Sequence, residues 1–165
     1  MLCNKSPYPA GEGGPMAMNS IVKGLLATGH NVKILAVNSE KYHINEEDIP
    51  ESYKKQTGIE LVNVDLRIKP MAAFKNLFSD KSYHVERFIS EDFNNKLIKI
   101  LKKDKYDIVQ LEMIYMAPYI ETIRRYSNAR IVLRAHNVEH LIWDRIAKKT
   151  KFLPKRWYLN HLVRT

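Results

Sequence analysis

Short, largely apolar runs alternate along the chain with segments whose apolar residues recur at helical spacing, and this alternation constrains the fold more than any other feature. The runs rich in Val, Ile and Leu lie at 32–37, 59–64, 108–111 and 130–133, and a shorter run lies at 1–3. Such runs are typical of parallel strands buried on both faces. Because helices join parallel strands and cover the sheet, the sequence predicts an α/β fold that is Rossmann-like, with three layers in the order α/β/α and a mainly parallel sheet.

Helices are predicted between these strands from apolar positions three and four residues apart. A first helix is expected over 15–28, ending before Gly29, and a second is expected after Ser90, whose side chain can serve as its N-cap. Further helices are expected over 117–126, after Asn137 as an N-cap, and after Pro154. The apolar positions behind these predictions are Met18, Ile21, Val22, Leu25 and Leu26 in the first helix, Phe93, Leu97, Ile100 and Leu101 in the second, and Val138, Leu141, Ile142 and Ile146 in the last.

The length of 165 residues fits a single domain, and we expect one domain over 1–165. Cys3 is the single cysteine, so it cannot form an internal disulfide. The sequence shows neither a signal-peptide pattern nor an apolar run long enough to cross a bilayer, and a reducing cytoplasm is the expected location. Lys and Arg number 27 against 18 Asp and Glu, which gives a formal net charge of +9. This charge favours anionic partners such as phosphorylated small molecules, acidic lipid headgroups or nucleic acid.

Gly13 and Gly14 stand directly before Pro15 and the first predicted helix. Bare backbone N–H groups and the positive end of a helix would face the same point there, which suits a phosphate or another anion. The glycine fingerprint of dinucleotide-binding proteins would need glycine where Met16 stands, and the chain has no G-K-[ST] phosphate-binding loop. The alternative is that the two glycines only turn the chain.

Two predicted strand ends carry further candidates, at the edge of an open parallel sheet where ligands bind. Glu112 ends the strand that begins at 108, and an ionised carboxylate there must be solvated, paired or used in function. Arg134, His136, Asn137 and Glu139 gather after the last strand. His136 can donate a hydrogen bond to a substrate hydroxyl or act as an acid or base near neutral pH. A purely structural hydrogen bond is the alternative for this histidine.

Other kinds of site are less favoured. His136 and His140 do not form the zinc motif H-E-x-x-H, because Asn137 stands where the glutamate is needed, and the chain has no G-x-S-x-G serine motif. The segment 67–88 mixes lysines with aromatic residues such as Phe74. Such a mixture suits peripheral contact with an anionic membrane, and it is also the ordinary composition of a helix and its loops.

Three stretches, in this order and spacing, resemble the N-terminal domain of family 4 glycosyltransferases, which have the two-domain GT-B fold. They are PYPAGEGGPMAMNSIVKGLLATGHNVKILA, YDIVQLEMIYMAPYI and RIVLRAHNVEHLIWDRIA. The resemblance covers most of the chain, although residues 40–100 match only loosely. It implies a retaining enzyme that transfers a sugar from a nucleotide-sugar donor to a saccharide or lipid-linked acceptor in the synthesis of cell-surface polysaccharide or glycolipid. It also implies a place in the cytoplasm or peripherally on the inner face of the cell membrane.

The resemblance further implies roles for individual residues. Gly13 and Gly14 would approach the donor diphosphate, and His136 would contact the transferred sugar as the catalytic residue. Glu112 and Tyr115 would face the acceptor side. The other candidates for the cleft are Arg134, Asn137 and Glu139. No metal or other cofactor and no nucleic-acid partner are expected.

The family's donor-binding domain has no counterpart before Thr165, and both ends of the chain look trimmed. We therefore expect the chain to be one half of a GT-B enzyme and to be inactive alone. The alternative, motivated by the net charge of +9, is a non-catalytic Rossmann-like module that binds a phosphorylated or nucleic-acid ligand.

Overall fold

A computed structural model describes the following residues of the chain: 1–68, 71, 82–135, 139–152, 156, 157 and 159. Their core is one sheet of five parallel strands in the order β3-β2-β1-β4-β5. The strands are β1 (Leu2–Cys3), β2 (Leu35–Asn38), β3 (Glu60–Asn63), β4 (Ile108–Glu112) and β5 (Arg130–Arg134). This confirms the predicted Rossmann-like α/β fold.

Helices connect the strands, as right-handed crossovers between parallel strands require. They are α1 (Gly13–Ala27), α2 (Glu51–Thr57), α3 (Tyr83–Glu86), α4 (Glu91–Lys103), α5 (Ile120–Tyr126) and α6 (Glu139–Lys149). Three 3₁₀ segments lie at Glu40–Tyr42, Glu46–Asp48 and Ile114–Tyr119. The strand order changes direction after β3, so the crevice between β1 and β4 is the point at which such sheets bind ligands.

Alternation along β2 shows how one short strand supports both faces of the sheet. Leu35 and Val37 are buried in a large apolar cluster together with residues of α4 and α5. Ala36, together with Ile34 just before the strand, packs on the other side with residues of α1. Because successive side chains of a strand face opposite sides, helices must cover both faces, and this gives the three layers.

Helix α4 forms where the sequence predicts it. The Ser90 hydroxyl accepts a hydrogen bond from the Phe93 N–H group at 3.3 Å, which satisfies one of the free donors of the first turn. Acidic residues lie in its first turn and lysines in its last, which suits the helix dipole. The four predicted apolar positions are its buried residues: Phe93, Leu97, Ile100 and Leu101.

The structure differs from the sequence predictions at several boundaries. β2 begins at Leu35, whereas the sequence predicted a strand from 32. The segment beside residues 32–34 is not a strand, because it consists of the end of α2 and Gly58, which has a left-handed φ of 49°. α1 begins at Gly13, so both glycines belong to its first turn. The helix expected over 117–126 starts instead as a 3₁₀ segment that contains Pro118 and becomes α-helical at Ile120.

The apolar face predicted for the last helix is partly open. Leu141 and Ile146, which the sequence places on one face, are 44% and 39% exposed. Helical spacing shows that these residues share a side of α6, and it contains no information about what covers that side. The predicted cap at Asn137 lies outside the described residues. Most of the helix expected after Pro154 lies outside them as well.

The loop between α3 and α4 depends on one buried phenol, and this generates a prediction. The Tyr119 hydroxyl donates to the Phe88 carbonyl at 2.6 Å and accepts from the Ser90 N–H group at 3.0 Å. In Tyr119→Phe both backbone groups lose this partner, so we expect the free energy of unfolding to fall by about 1–3 kcal/mol in urea titrations. Tyr126→Phe is the control, since no hydrogen bond of its hydroxyl is present in the described part of the chain, and its effect should stay within about 0.5 kcal/mol. Equal losses in the two variants would contradict this prediction.

Candidate functional site

The candidate residues are carried by segments that leave the carboxyl ends of the strands. Lys5 follows β1 after one residue, Ser39 directly follows β2, and Tyr115 follows β4 after two residues. In parallel strands these ends lie along one edge of the sheet. The edge therefore collects side chains that are far apart in the sequence.

Glu112 and Arg134 form an ion pair at this edge. They are the last residues of β4 and β5 and lie directly opposite each other in the strand register. The Arg134 Nε atom lies 3.1 Å and 3.0 Å from the two carboxylate oxygens of Glu112. Glu112 is fully buried, whereas the Arg134 side chain is 28% exposed. Of the options that the sequence left open for Glu112, the structure shows that it is paired.

Additional polar contacts surround this pair. The Gln110 amide donates to Glu112 Oε1 at 2.5 Å from two residues back along β4. The Arg134 Nη2 atom is 2.9 Å from Glu112 Oε2, but the contact lacks hydrogen-bond alignment, and Nη2 has no acceptor within the described structure. The pair thus holds a buried negative charge against an arginine whose side chain is only partly exposed.

The residue after Glu112 has an unusual backbone. Met113 has φ of 75° and ψ of 156°. This backbone conformation costs a residue other than glycine about 1–3 kcal/mol. Its N–H group donates to the Arg134 carbonyl at 3.0 Å, which extends the pairing of β4 and β5 by one residue. Strain of this kind often accompanies functional sites, and here it turns the chain from β4 toward Tyr115.

The glycines lie at the start of α1, near the end of β1. Glu12 is the N-cap residue of α1, but its side chain makes no capping hydrogen bond and pairs instead with Lys5 Nζ at 2.8 Å. This contact lowers the pKa of Glu12. A β-carbon added at Gly13 would contact nothing within 4 Å, whereas one at Gly14 would lie 3.3 Å from Lys5 Cε. The first-turn N–H groups of α1 are thus left without a side-chain cap.

A cleft of about 770 Å³ opens beside Lys5. We call it the edge cleft and define it by its cationic side chains and two of its tyrosines: Lys5, Lys41, Arg67, Arg87, Tyr42 and Tyr115. The Lys5 ammonium lies 4.3 Å from the centre of the Tyr42 ring, a cation–π contact. Tyr115 stacks on Phe88 with ring centres 4.7 Å apart and planes at 14°. The edge cleft therefore combines positive charge with flat aromatic surface.

The structure brings some of the predicted site residues together. It pairs Glu112 with Arg134, places Tyr115 in the edge cleft and places Gly14 beside Lys5. His136 and Asn137 lie outside the described residues. Glu139 begins α6, and the position of its side chain is likewise outside what is described.

Sequence reasoning missed the cations of the edge cleft. Lys5, Lys41 and Arg87 come from three separate segments, and only the strand order brings them together. Lys5 carried a usable signal, since it follows a strand end by one residue, as ligand-binding residues of such folds do. Arg87 carried none, because it lies in the region where the sequence patterns are weakest.

Two of the other expectations concern metals and membranes. Across the ranges that the structure describes, no three His, Cys, Asp or Glu side chains are grouped as a metal site requires, and no helix is both long and apolar enough to cross a membrane. Most of the basic and aromatic segment 67–88, including Phe74, lies outside these ranges. Tyr83, which belongs to that segment, is buried in α3.

The ion pair generates a prediction about stability. Arg134→Met removes the cation and leaves the buried Glu112 carboxylate uncompensated, so we expect the free energy of unfolding to fall by about 3–5 kcal/mol. Adding Glu112→Gln to Arg134→Met should restore most of the loss, because the buried group is then neutral. Arg130→Met, at the exposed start of the same strand, is the matched control and should change little. Urea denaturation of the four proteins measures this, and a double variant no more stable than Arg134→Met would refute the explanation.

Comparison with known proteins does not add to these observations. The chain matches no protein-family description, no curated protein and no solved structure. The chemistry of the edge must therefore be argued from its own residues.

Proposed function

We propose that the chain is the acceptor-side half of a retaining glycosyltransferase of the GT-B kind. In this proposal it transfers a sugar from a nucleotide-sugar donor to a saccharide or lipid-linked acceptor, in the synthesis of cell-surface polysaccharide or glycolipid. The observation that carries the proposal is that Lys5 joins two features at one edge of the sheet. It contacts the glycine start of α1 on one side and lines the edge cleft on the other.

The start of α1 supports a donor-phosphate role for Gly13 and Gly14. A helix of 15 residues presents free N–H groups and a partial positive charge at its first turn. Since a β-carbon at Gly13 would meet open space, the glycine leaves room for a ligand to approach the backbone. Lys5 lies beside Gly14, and its ammonium is paired with Glu12 at 2.8 Å.

The edge cleft supports a role in binding the acceptor. Its volume of about 770 Å³ lies within the range of ordinary small-molecule sites. Tyr115 offers an aromatic face held by its stacking on Phe88, and Asn4 and Ser39 add polar groups that can hydrogen-bond to sugar hydroxyls.

The proposed reaction breaks the bond between the donor's anomeric carbon and its phosphate oxygen and forms a bond from that carbon to the acceptor oxygen on the same face. The acceptor proton passes to the departing phosphate. The protein contributes positioning and stabilisation of the negative charge that develops on the diphosphate. His136, two residues beyond Arg134, would contact the transferred sugar. The ion pair of Glu112 and Arg134 would fix the strand end from which His136 follows.

The cellular setting is part of the same proposal. A lipid-linked acceptor would bring the enzyme to the inner face of the cell membrane as a peripheral protein in the cytoplasm. The formal net charge of +9 supports contact with an anionic membrane surface. No metal or other cofactor is needed for the proposed reaction, and no nucleic-acid partner is proposed.

A second candidate function is a non-catalytic module that binds a phosphorylated ligand. The cations of the edge cleft favour it, because they would attract such a ligand whether or not a reaction followed. The two functions differ in turnover, since a binding module would release its ligand unchanged.

Turnover by the complete gene product tests the proposed function. The protein is incubated with membrane extract and, in turn, with radiolabelled uridine, guanosine and cytidine diphosphate sugars. We expect one donor to label a saccharide or lipid-linked product with retained anomeric configuration, and we expect the 165-residue chain alone to be inactive. If the protein shows neither sugar transfer nor donor hydrolysis with any of these donors, the result contradicts the proposal and favours the binding module.

Gly13→Ala tests the donor side specifically. Its methyl group meets no protein atom within 4 Å, so the fold should be undisturbed, but the group would stand where the phosphate approaches. In the complete enzyme we expect the donor KM to rise about tenfold or more, since the backbone contacts act on the charge of the diphosphate. Gly24→Ala is the matched control in the same helix and should stabilise the protein by up to about 1 kcal/mol without changing KM. An unchanged donor KM in Gly13→Ala would favour the alternative hypothesis that Gly13 and Gly14 only turn the chain.

A further inference from the structure

We propose that the edge cleft binds a phosphate group of the acceptor, with Arg87 as its principal anchor and Lys41 as its second cation. The acceptor would then be a phosphorylated saccharide or polyol rather than a neutral sugar. This inference rests on the proposed function, because it names the class of acceptor that the same cleft takes.

Arg87 is a fixed guanidinium whose charge is not neutralised by any carboxylate of the described residues. Its Nη1 atom donates to the Leu66 carbonyl at 2.7 Å, and its Nη2 atom lies 3.2 Å from Nδ1 of His84. Burial, and secondarily the charge of Arg87, lower the pKa of His84 to about 4, so the imidazole is neutral and accepts the hydrogen bond at neutral pH. Both acceptors are thus uncharged, and the Arg87 Nε atom is buried without a partner in the described structure.

This arrangement resembles a prepared anion site more than a structural ion pair. Structural arginines are normally matched by carboxylates when they are partly buried, because an uncompensated charge is costly to desolvate. No carboxylate lies within ion-pair distance of Arg87 among the residues the structure describes. The planar guanidinium is held in place before any ligand arrives, which reduces the entropy lost on binding.

Lys41 is the second cation of the edge cleft without a carboxylate in the described part of the chain. It is exposed, and its ammonium lies 5.1 Å from the centre of the Tyr42 ring. The other two cations are already matched, since Lys5 pairs with Glu12 at 2.8 Å and Arg67 with Asp65 at 2.9 Å. Two unmatched positive charges suit a phosphate, which carries about two negative charges at neutral pH, better than a carboxylate, which carries one.

The acidic content of the cleft agrees with this selection. Glu40 is the single acidic residue among the described lining residues, and it pairs with Arg67 at 3.7 Å. The ring of Tyr115, stacked on Phe88, lines the same cleft. Charge and aromatic surface therefore occur together in the combination that a phosphorylated ring requires.

The anchor is separate from the proposed donor-phosphate position. Lys5 lies between them and is only 17% exposed, because its side chain spans from Gly14 and Glu12 to the ring of Tyr42. The acceptor phosphate and the donor diphosphate would thus bind on opposite sides of one lysine. Such an arrangement lets the two negatively charged substrates occupy the site together with less mutual repulsion.

Calorimetric titration of the 165-residue chain tests the inference, with glucose 6-phosphate, glucose and inorganic phosphate as probes. We expect glucose 6-phosphate to bind about tenfold or more tightly than glucose, and its affinity to fall with added salt. Sedimentation with phosphatidylcholine vesicles, with and without phosphatidic acid, separates a lipid headgroup from a free sugar phosphate as the natural source of the phosphate. Equal affinity for glucose and glucose 6-phosphate, with no preference for the acidic vesicles, would overturn the inference.

Variants assign the binding to the edge cleft. Arg87→Gln should weaken phosphate-dependent binding about tenfold or more, whereas Arg124→Gln, an exposed arginine on α5, should leave it unchanged. Arg87→Gln also removes the hydrogen bond to the Leu66 carbonyl. Lys41→Gln is therefore a second variant, because Lys41 makes no hydrogen bond in the described part of the chain. It should weaken binding about threefold. Unchanged affinity in a folded Arg87→Gln or in Lys41→Gln would place the phosphate elsewhere and refute the proposal.

The outcome is distinguishable from that of the proposed function. If the complete enzyme transfers sugar to neutral acceptors and the chain binds no phosphorylated probe, the transferase proposal stands and the acceptor inference fails. If the chain binds phosphorylated probes through Arg87 and the complete protein transfers no sugar, the cleft is confirmed as a phosphate site and the transferase proposal fails.

Discussion

The sheet is held together at its centre by a strand of two residues. Leu2 and Cys3 pair with β2 on one side and with β4 on the other, and no other strand joins these two halves in the described structure. Leu2 belongs to the apolar cluster beneath α4 and α5, and Cys3 to the cluster beneath α1. Burial raises the pKa of the Cys3 thiol to about 12, so this residue serves as a small apolar side chain. Everything at the carboxyl edge is positioned relative to these two residues.

The buried charge of Glu112 follows from this centre. Glu112 lies opposite Cys3 in one direction and opposite Arg134 in the other. At that place a carboxylate has no access to water, so the structure supplies a guanidinium, an amide and the backbone pairing of Met113 around it. A site built on such a pair is rigid, because moving either strand end would separate the charges in a low-dielectric interior.

The elements that sequence alone predicted well are those whose causes are local. α4 was predicted with its cap and its whole apolar face, because the cap, the terminal charges and the helical spacing all agree within one segment. β2 was placed too early because its first residues depend on what lies beside them. The pairing of Glu112 with Arg134 was open among alternatives until the register of β4 and β5 was known, and the cations of the edge cleft meet only through the strand order.

One buried hydroxyl connects the packing of the core with the wall of the edge cleft. Tyr119 holds Phe88 and Ser90 by their backbones, and these residues lie one and three positions after Arg87. Phe88 in turn supports the ring of Tyr115 from within. The shape of the cleft is therefore set partly by Tyr119, which is not one of its described lining residues. A lineage of such proteins could change its preferred ligand through substitutions around Tyr119 while every residue lining the cleft stays the same.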